Sequence, residues 1–370
     1  MKNILDKARN QLSENLPFVI YKKPNEDTII GLFQKNDTLY SVNDFSEKGF
    51  VFSSFDESQT LLIPENESEI VMADFFITKS NIPDVENYSQ DIAAKTNFET
   101  LVTNGIQAIE KNEFKKVVLS RKETLDLDNF DLIYTFERLL QLYPATFVYC
   151  FFHPKVGTWL GATPEQLLKV KENVFETIAL AGTQKDVGSE EIFWKEKEKE
   201  EQQFVTDFIV ETLKEVASNI LISKPYSFKA GNIWHIKTNI SGVLNSSLNL
   251  KNVIYLLHPT PAVCGFPKDK SKAFILQNEN YDRSFYTGFL GELNCSFTTN
   301  SISSNLFVNL RCMQIEFVSF QNPSKSVITK AHLYVGCGIT KNSIPENEWE
   351  ESVNKSMTIK KVLEFKNNIL

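Results

Sequence analysis

The chain has 370 residues, of which 42% are hydrophobic, so it could form one large domain or two ordinary ones around a sizeable core. Its formal net charge of -8 argues against nucleic acid as the main partner, because phosphate binding needs a basic surface. Its 5 cysteines are scattered and form no C-x-x-C pair, which predicts neither a disulfide framework nor a zinc site and favours a reducing cytoplasm. The sequence predicts no signal peptide and no segment that spans a membrane.

The N-terminal part of the chain reads as a series of strands. Short apolar runs alternate with Asn, Asp and Gly turns between residues 17 and 77, a pattern typical of antiparallel strands. A helix that begins at a cap on Thr96 or Asn97 and runs to Lys111 is predicted next. No low-complexity linker and no internal repeat divides the chain. This part carries no motif that indicates chemistry.

A β-branched run, KVVLSR at residues 116–121, predicts a strand that begins at Lys116. The two-residue period of a strand places Lys116, Val118 and Ser120 on one face. A lysine at the end of a strand is usually solvated, so this run alone leaves open whether Lys116 has a role in function.

The motif GATPE, at residues 161–165, is expected to fix the direction of an acid. Glycine and proline on either side make a tight corner at Glu165. A helix that begins at Pro164, with the acid in its first turn, is an equally good interpretation. Further along, Gly182 in the run LAGT would let backbone N–H groups approach a ligand closely.

A long helix is predicted from about Glu190 to Val216, with an apolar stripe that includes Phe204, Val205 and Phe208. Glu201 precedes these residues by three, four and seven positions, so it lies on the inward stripe. The neighbouring acids of this helix belong mostly to a solvated, charged run. Glu201 is therefore the acid that a simple surface helix does not explain.

The next part of the chain is predicted to contain a shaped loop and several strands. The run HPTPAVCGFP, at residues 258–267, is too rich in proline and glycine for a helix or a strand. Strands are predicted at residues 284–290 and 305–310. Arg311 follows the second of these and is a candidate to bind a carboxylate through its guanidinium group. The histidines show no metal-binding spacing.

The C-terminal part predicts a strand, a glycine turn at residues 336–338 and a helix that begins at Pro345. Spacings of three and four place Glu348, Glu351 and Lys355 on one inward face of this helix. Two buried acids are costly unless a divalent cation, or an anion with its metal, neutralises them. A surface ion pair between Glu351 and Lys355 is the simpler alternative.

In this order, the motifs resemble the chorismate-utilising enzyme family, most closely its isochorismate synthase branch. The resemblance covers residues 98–370 and rests on the motifs above, together with GCGI at 336–339 and EWEESVNK at 348–355. It implies a single large α+β domain over residues 1–370, with two stacked antiparallel sheets, outer helices and an active site in the cleft between the layers. Residues 1–95 would add strands to this sandwich, and about 96–370 would carry the catalytic motifs. One departure is that Gln202 stands where relatives usually have a histidine.

The resemblance also implies roles for individual residues. Lys116 is similar to the general base of the family and Glu165 to its general acid, and Glu201 and Glu351 resemble the two carboxylates that bind Mg²⁺. The positions that hold chorismate in the synthases correspond here to Gly182, Thr183, Ala262, Arg311, Tyr334, Gly336 and Lys355.

The implied reaction is the conversion of chorismate to isochorismate, in which water adds at C2 while hydroxide leaves C4. We expect a monomer that binds chorismate and has no glutaminase subunit. The composition adds the expectation of a cytoplasmic protein with neither nucleic acid nor a membrane as partner. It leaves open whether isochorismate enters menaquinone or siderophore biosynthesis. The alternatives are a salicylate synthase, an ammonia-using relative, an inactive binding relative or, outside the family, a magnesium hydrolase.

Three positions bear on these alternatives. Relatives that make aminodeoxychorismate carry a lysine at the position of Ala181, and ammonia-using relatives usually lack a lysine at that of Lys116. Relatives that eliminate pyruvate or use ammonia tend to carry threonine at the position of Ala262. The three residues together favour water as the attacking group and isochorismate as the released product.

Overall fold

Two antiparallel sheets, stacked face to face, organise the chain. The structure is a computed structural model and describes residues 1–77, 91–127, 130–186, 192–230, 233–245, 249–318 and 328–363. In this part of the chain the helices are α1 (Lys2–Ser13), α2 (Ile92–Glu110), α3 (Leu132–Leu142), α4 (Glu196–Lys214), α5 (Leu250–Leu257), α6 (Lys268–Asn278) and α7 (Pro345–Lys360). None of these helices is both long enough and apolar enough to cross a membrane.

The strands of the described residues alternate with these helices along the chain. In chain order they are β1 (Phe18–Lys22), β2 (Thr28–Gln34), β3 (Tyr40–Ser41), β4 (Gly49–Ser53), β5 (Thr60–Pro64), β6 (Ser68–Asp74), β7 (Lys116–Leu127), β8 (Phe147–His153), β9 (Gly157–Thr163), β10 (Gln166–Lys171), β11 (Val174–Lys185), β12 (Ala217–Ile222), β13 (Tyr226–Ala230), β14 (Ile233–Leu244), β15 (Gly265–Phe266), β16 (Phe289–Leu293), β17 (Ser303–Val308), β18 (Cys312–Val318) and β19 (Ile328–Ile339).

The first sheet has the strand order β15-β7-β19-β18-β9-β8-β1-β2-β6, and the second has the order β12-β14-β11-β10-β17-β16-β4-β5-β3, with β13 also paired to β14. The N-terminal strands are therefore shared between the sheets: β1, β2 and β6 extend the first, and β3, β4 and β5 extend the second. The α+β sandwich expected from the resemblance is confirmed.

Aromatic side chains fill the space between the two sheets. Phe147 of the first sheet stacks on Phe307 of the second, with ring centroids 4.4 Å apart, and Phe52 stacks on Phe285 at 4.3 Å. Burial of large apolar rings is the main favourable contribution to folding, and offset stacking adds to it. The helices cover the outer faces, where α4 and α5 pack on the second sheet and α2 and α7 on the first.

The pairing of β7 with β19 places the predicted site residues. Val118 lies opposite Gly338 and Ser120 opposite Gly336 in the antiparallel register. Val117 and Leu119 point away from the second sheet, into the cluster formed with α2 and α7. Because side chains alternate along a strand, Lys116, Val118 and Ser120 share the other face, as predicted, and Val118 on this face lines the cleft between the sheets.

Three predicted boundaries are wrong, and the glycine turn predicted at residues 336–338 is part of β19. Helix α2 begins at Ile92 and not near Thr96, because the side chain of Asp91 accepts a hydrogen bond from Ala94 N and so caps the helix. The strand predicted at residues 284–290 begins only at Phe289, since the residues before it form a turn in which Thr287 has φ +61°. In addition, α4 begins at Glu196 rather than near 190, and residues 187–191 lie outside the described part.

Candidate active site

A cleft that is partly open to solvent lies between the sheets at one end of the sandwich. Its walls come from β7 and β19 of the first sheet, β11 and β14 of the second, and the loops around residues 165, 262 and 311. The predicted residues that line it are Glu165, Gly182, Thr183, Glu201, Ala262, Arg311, Tyr334, Gly336 and Lys355. Lys116 and Glu351 lie directly behind this lining, each in contact with one of its members.

Lys116 is fully buried at the start of β7, and its Nζ lies 3.2 Å from Glu201 Oε1. Burial lowers the pKa of this lysine, although the negative charge of Glu201 opposes the shift. The absence of a side chain at Gly338 makes room for the pair: an added Cβ would lie 2.1 Å from Glu201 Oε1 and 3.2 Å from Lys116 Cε. Lys116 is therefore buried and paired with Glu201. The simpler interpretation, a solvated lysine at the end of a strand, is wrong.

Glu165 lies in the short corner between β9 and β10 and is 4% exposed. Its carbonyl accepts a hydrogen bond from Val308 N at 2.9 Å, and β10 begins directly after it at Gln166, so no helix begins at Pro164. Burial raises the pKa of the carboxyl group to about 8, in spite of the nearby positive charges of Lys116, Lys355 and Arg311. At neutral pH the group is protonated and can donate a proton.

Cationic groups occupy another wall of the cleft. Arg311 is held at φ +49° in the turn before β18, and its buried Nη1 has no hydrogen-bond partner among the residues that the structure describes. Lys355 reaches in from α7 and donates to the carbonyl of Gly336 at 2.9 Å. A buried donor without a partner is costly, so an anion that accepts a bond from Arg311 would be stabilised here.

Three acids converge at the base of the cleft, and each contacts a lysine. Glu201 contacts Lys116, Glu351 Oε1 lies 2.7 Å from Lys355 Nζ, and Glu348 Oε1 contacts Lys197 Nζ. Glu348 is 1% exposed, and burial, followed by the charge of Glu351, raises its pKa to about 7. The chain thus neutralises its own acids with lysines that come from β7, α4 and α7.

Two of these acids offer oxygen donors for a cation. Ligand atoms of Glu348, Glu351 and Cys337 lie within 4.8 Å of one another, and Glu348 Oε2 is buried without a hydrogen-bond partner among the described residues. Glu201 is not in this group, since its carboxylate is directed to Lys116. Carboxylate oxygens are the ligands that hard divalent cations prefer, so the two carboxylates fit such an ion, whereas the Cys337 thiol donates to the carbonyl of Glu348 and is not a ligand of this kind.

Gln202, which departs from the usual pattern of the resembled family, is buried behind Glu201. Its amide nitrogen donates to the hydroxyl groups of Thr206 at 2.8 Å and Thr238 at 2.7 Å. These bonds join α4 to β14 immediately after the acid. The departure therefore replaces an imidazole by an amide that has partners on both elements.

His235 is a cleft residue that the sequence analysis passed over. Its Nδ1 lies 2.9 Å from the carbonyl of Gly182, while Nε2 is buried and has no partner in the described part of the chain. Burial, helped by the charges of Arg311 and Lys355, lowers its pKa to about 3. The neutral ring thus donates from Nδ1 and presents Nε2 as an acceptor. The alternation along β14, which places His235 on the face of buried Ile233, could have indicated this.

A second group that the sequence analysis missed is the buried ion pair of Glu279 and Arg283, whose charged atoms approach to 2.6 Å. Arg283 also donates to the carbonyls of Val118 at 2.7 Å and Val263 at 3.0 Å, while Glu279 accepts from Ser120 N at 2.8 Å. The pair therefore joins β7 to the loop that carries Ala262. In the sequence, the i, i+4 spacing of an acid and an arginine is the signal that could have indicated this ion pair.

Comparison with known proteins decides the family. The model of a family described as chorismate binding enzyme matches residues 53–364. The chain belongs to the chorismate binding enzyme family. Isochorismate synthase EntC of Escherichia coli (strain K12) is 29% identical over 280 residues, which are 73% of this chain and 68% of that protein. Anthranilate synthase component 1 of Aquifex aeolicus (strain VF5) is 28% identical over 299 residues, or 76% of this chain and 56% of that protein.

The fold is shared with solved members of the family. The structure of MenF, the menaquinone-specific isochorismate synthase of Escherichia coli, superposes with a TM-score of 0.75 at 19% identity and covers 98% of this chain and 99% of that one. At this identity the likeness concerns the fold alone. Membership in the chorismate-binding enzymes is shown by the family match, while the relatives include proteins of more than one named activity.

Proposed function

We propose that this protein is an isochorismate synthase, an isomerase that converts chorismate to isochorismate reversibly and with Mg²⁺. The observation that carries the proposal is the pair of buried groups in one cleft: Lys116 with a lowered pKa and Glu165 with a pKa of about 8. A base and an acid with pKa values moved toward neutrality suit a reaction that needs both at once. We infer that residues 1–370 form one chorismate-binding domain that acts in the cytoplasm as a monomer, without a glutaminase subunit.

The proposed reaction adds one water molecule and releases another. Neutral Lys116 takes a proton from the water that attacks C2 of chorismate, and the double bond shifts as the C4–oxygen bond breaks. Protonated Glu165 supplies the proton with which the C4 hydroxyl leaves as water. The neutral ring of His235, with Nε2 free to accept a bond among the described residues, could orient a substrate hydroxyl.

Cationic groups of the chain bind the substrate, which carries two carboxylates. Arg311 and Lys355 are the proposed partners of one carboxylate, with Gly182, Thr183, Ala262, Tyr334 and Gly336 forming the rest of the pocket. Glu201 and Glu351 are the proposed Mg²⁺ ligands, and the position of Glu348 makes it a further neighbour of the ion. When bound, the ion supplies positive charge that binds a substrate carboxylate to an acidic wall.

The lining of the cleft favours this function over the reactions of other relatives. Ala181 and Ala262 both line the cleft, and neither offers a nucleophile or a hydroxyl group there. Lys116 is present as the base that activation of water requires. An ammonia-using enzyme is the second candidate, because an anthranilate synthase component 1 is among the relatives. A salicylate synthase is the other alternative that the resemblance leaves open.

The test is incubation of the purified protein with chorismate and Mg²⁺, followed by chromatography of the products. We expect a mixture of chorismate and isochorismate that reaches the same ratio from either compound, and no conversion by Lys116→Ala. If chorismate stays unchanged at all Mg²⁺ concentrations, the proposal is wrong.

A further inference from the structure

We propose that Lys197 is a built-in counter-ion of the acidic cluster, which a divalent cation must displace, so that this lysine sets the affinity of the protein for the metal. The acidic cluster is defined as Glu201, Glu348 and Glu351. The inference rests on the proposed Mg²⁺ dependence and assigns to Lys197 a role beyond it.

The position of Lys197 follows from helix geometry. It lies in the first turn of α4, four residues before Glu201, so the two side chains leave the helix on the same face. From there its ammonium group reaches α7 and contacts Glu348 Oε1. The negative charges that act most strongly on this ammonium group are those of Glu348, Glu351 and Glu201, in that order. A single ammonium group thus faces all three members of the acidic cluster.

Lys197 differs from the other two lysines at the cluster in how firmly it is held. Lys116 is fully buried, and Lys355 is held both by Glu351 and by the carbonyl of Gly336. The ammonium group of Lys197 makes one hydrogen bond within the described residues, to Glu348, and its side chain is 21% exposed. Its flexible four-carbon stem can therefore swing toward water while the other two lysines stay in place.

The charges explain why displacement is needed. With Lys197 in place Glu348 is neutralised without a metal, and a divalent ion bound by Glu201 and Glu351, with Glu348 as its neighbour, would lie close to the ammonium group of Lys197. Like charges this close repel strongly in a partly buried site. Glu348 cannot turn to solvent instead, since it is 1% exposed. The metal and the ammonium group therefore compete for the same carboxylate.

The experiment compares Mn²⁺ binding by the wild-type protein, Lys197→Met and Lys199→Met, using isothermal titration without substrate. Methionine keeps the apolar stem and removes the charge. Lys199 is the matched control, because it lies on the same helix, pairs only with Glu196 at 3.9 Å within the described residues and is largely exposed. We expect Lys197→Met to bind Mn²⁺ about tenfold more tightly or better, while Lys199→Met matches the wild type.

Thermal unfolding gives a second readout that does not depend on activity. In EDTA, Lys197→Met should melt at a lower temperature than the wild type, because Glu348 loses its partner, and Mn²⁺ should raise its Tm by more. If this variant does not fold, Lys197→Gln, whose amide can still donate to Glu348, takes its place with the same expected direction.

The possible results separate the two proposals. Equal or weaker Mn²⁺ binding by the Lys197 variants, beside measurable binding by the wild type, would overturn the counter-ion role and leave the metal dependence standing. Absence of binding by every protein, including the Lys197 variants, would overturn both. Binding that is gained only when Lys197 is replaced supports the counter-ion role most strongly.

Discussion

The ammonium nitrogen of Lys116 lies 3.2 Å from a carboxylate oxygen of Glu201, across the gap left by Gly338. The two residues come from β7 and α4 and meet on the floor of the cleft. Burial lowers the pKa of Lys116, and the charges of the surrounding lysines outweigh burial to lower that of Glu201. The proposed base and a proposed metal ligand therefore influence each other electrostatically, and a change at one should be felt at the other.

The two limbs of the pH profile should have separate origins. A base acts when it has lost its proton and an acid when it has kept one, so the rate should rise with Lys116 deprotonation and fall as the acid is lost. We expect the pH profile of Lys116→Gln to lack the acidic limb. The pKa of Glu165 is about 8 in the wild type, so the profile of Glu165→Gln should lack the alkaline limb. Each change should lower kcat about a hundredfold or more. Wild-type turnover in either variant would remove that residue from the mechanism.

Loss of an acidic ligand should reduce activity without loss of the fold. Glu201→Gln and Glu351→Gln each remove one charge from the cleft and leave no cavity, so the protein should fold and lose most of its Mg²⁺-dependent activity. Glu211→Gln is the control, since this exposed acid of α4 contacts Lys214 at the surface. The measurement is activity against Mg²⁺ concentration, with circular dichroism to check the fold. Full activity in EDTA would contradict the metal requirement.

The buried carboxyl group of Glu165 should lower the free energy of unfolding at neutral pH. The group keeps its proton up to about pH 8 in the folded protein, whereas its ordinary pKa is 4.5. Folding therefore takes up a proton between these values, and the free energy of unfolding falls as the pH rises from about 4.5 to about 8. We expect Glu165→Gln to be more stable than the wild type at pH 7, on the order of 2 kcal/mol.

Urea unfolding of Glu165→Gln and wild type at pH 5 and pH 8 measures this difference. The gap between the two proteins should be small at the lower pH and larger at the higher one. If the difference in free energy of unfolding between wild type and variant is the same at pH 5 and at pH 8, Glu165 has an ordinary pKa and this account is wrong.

Gly338→Ala should impair the site more than the fold. The added methyl group would lie 2.1 Å from Glu201 Oε1, but this oxygen ends a flexible side chain that can move aside. We expect near-normal Tm together with a raised Mg²⁺ requirement, because the carboxylate no longer rests beside Lys116. The measurement is the Mg²⁺ concentration that gives half-maximal activity. An unchanged concentration would show that Glu201 does not bind the metal.

Periodicity was enough to predict which faces are buried. The spacing along α7 placed Glu348 and Glu351 inward, and Glu348 is 1% exposed in the structure. The alternation along β7 placed Lys116 on the same face as Val118 and Ser120, and in the structure Lys116 is fully buried. These predictions succeed because burial of one face dictates the pattern of a whole element, whatever its partner is.

The partners of these residues could not be predicted in the same way. Lys197 stands in a run of charges that reads as solvated, and its contact with Glu348 exists only because α4 and α7 converge at the cleft. His235 was passed over because a lone histidine carries no spacing. The link from Arg283 to Val118 and Val263 likewise depends on tertiary packing that no local pattern encodes.

The most direct test of the proposed function is the identity of the product formed from chorismate in water enriched in heavy oxygen, with Mg²⁺ and ammonium present. Products are separated by chromatography, and their masses are measured by mass spectrometry at successive times. We predict isochorismate that carries one heavy oxygen atom at C2, because in the proposed reaction Lys116 activates solvent water and the original C4 hydroxyl leaves. An aminated product, or salicylate that accumulates with an equal amount of pyruvate, would contradict the assignment, as would isochorismate without the label.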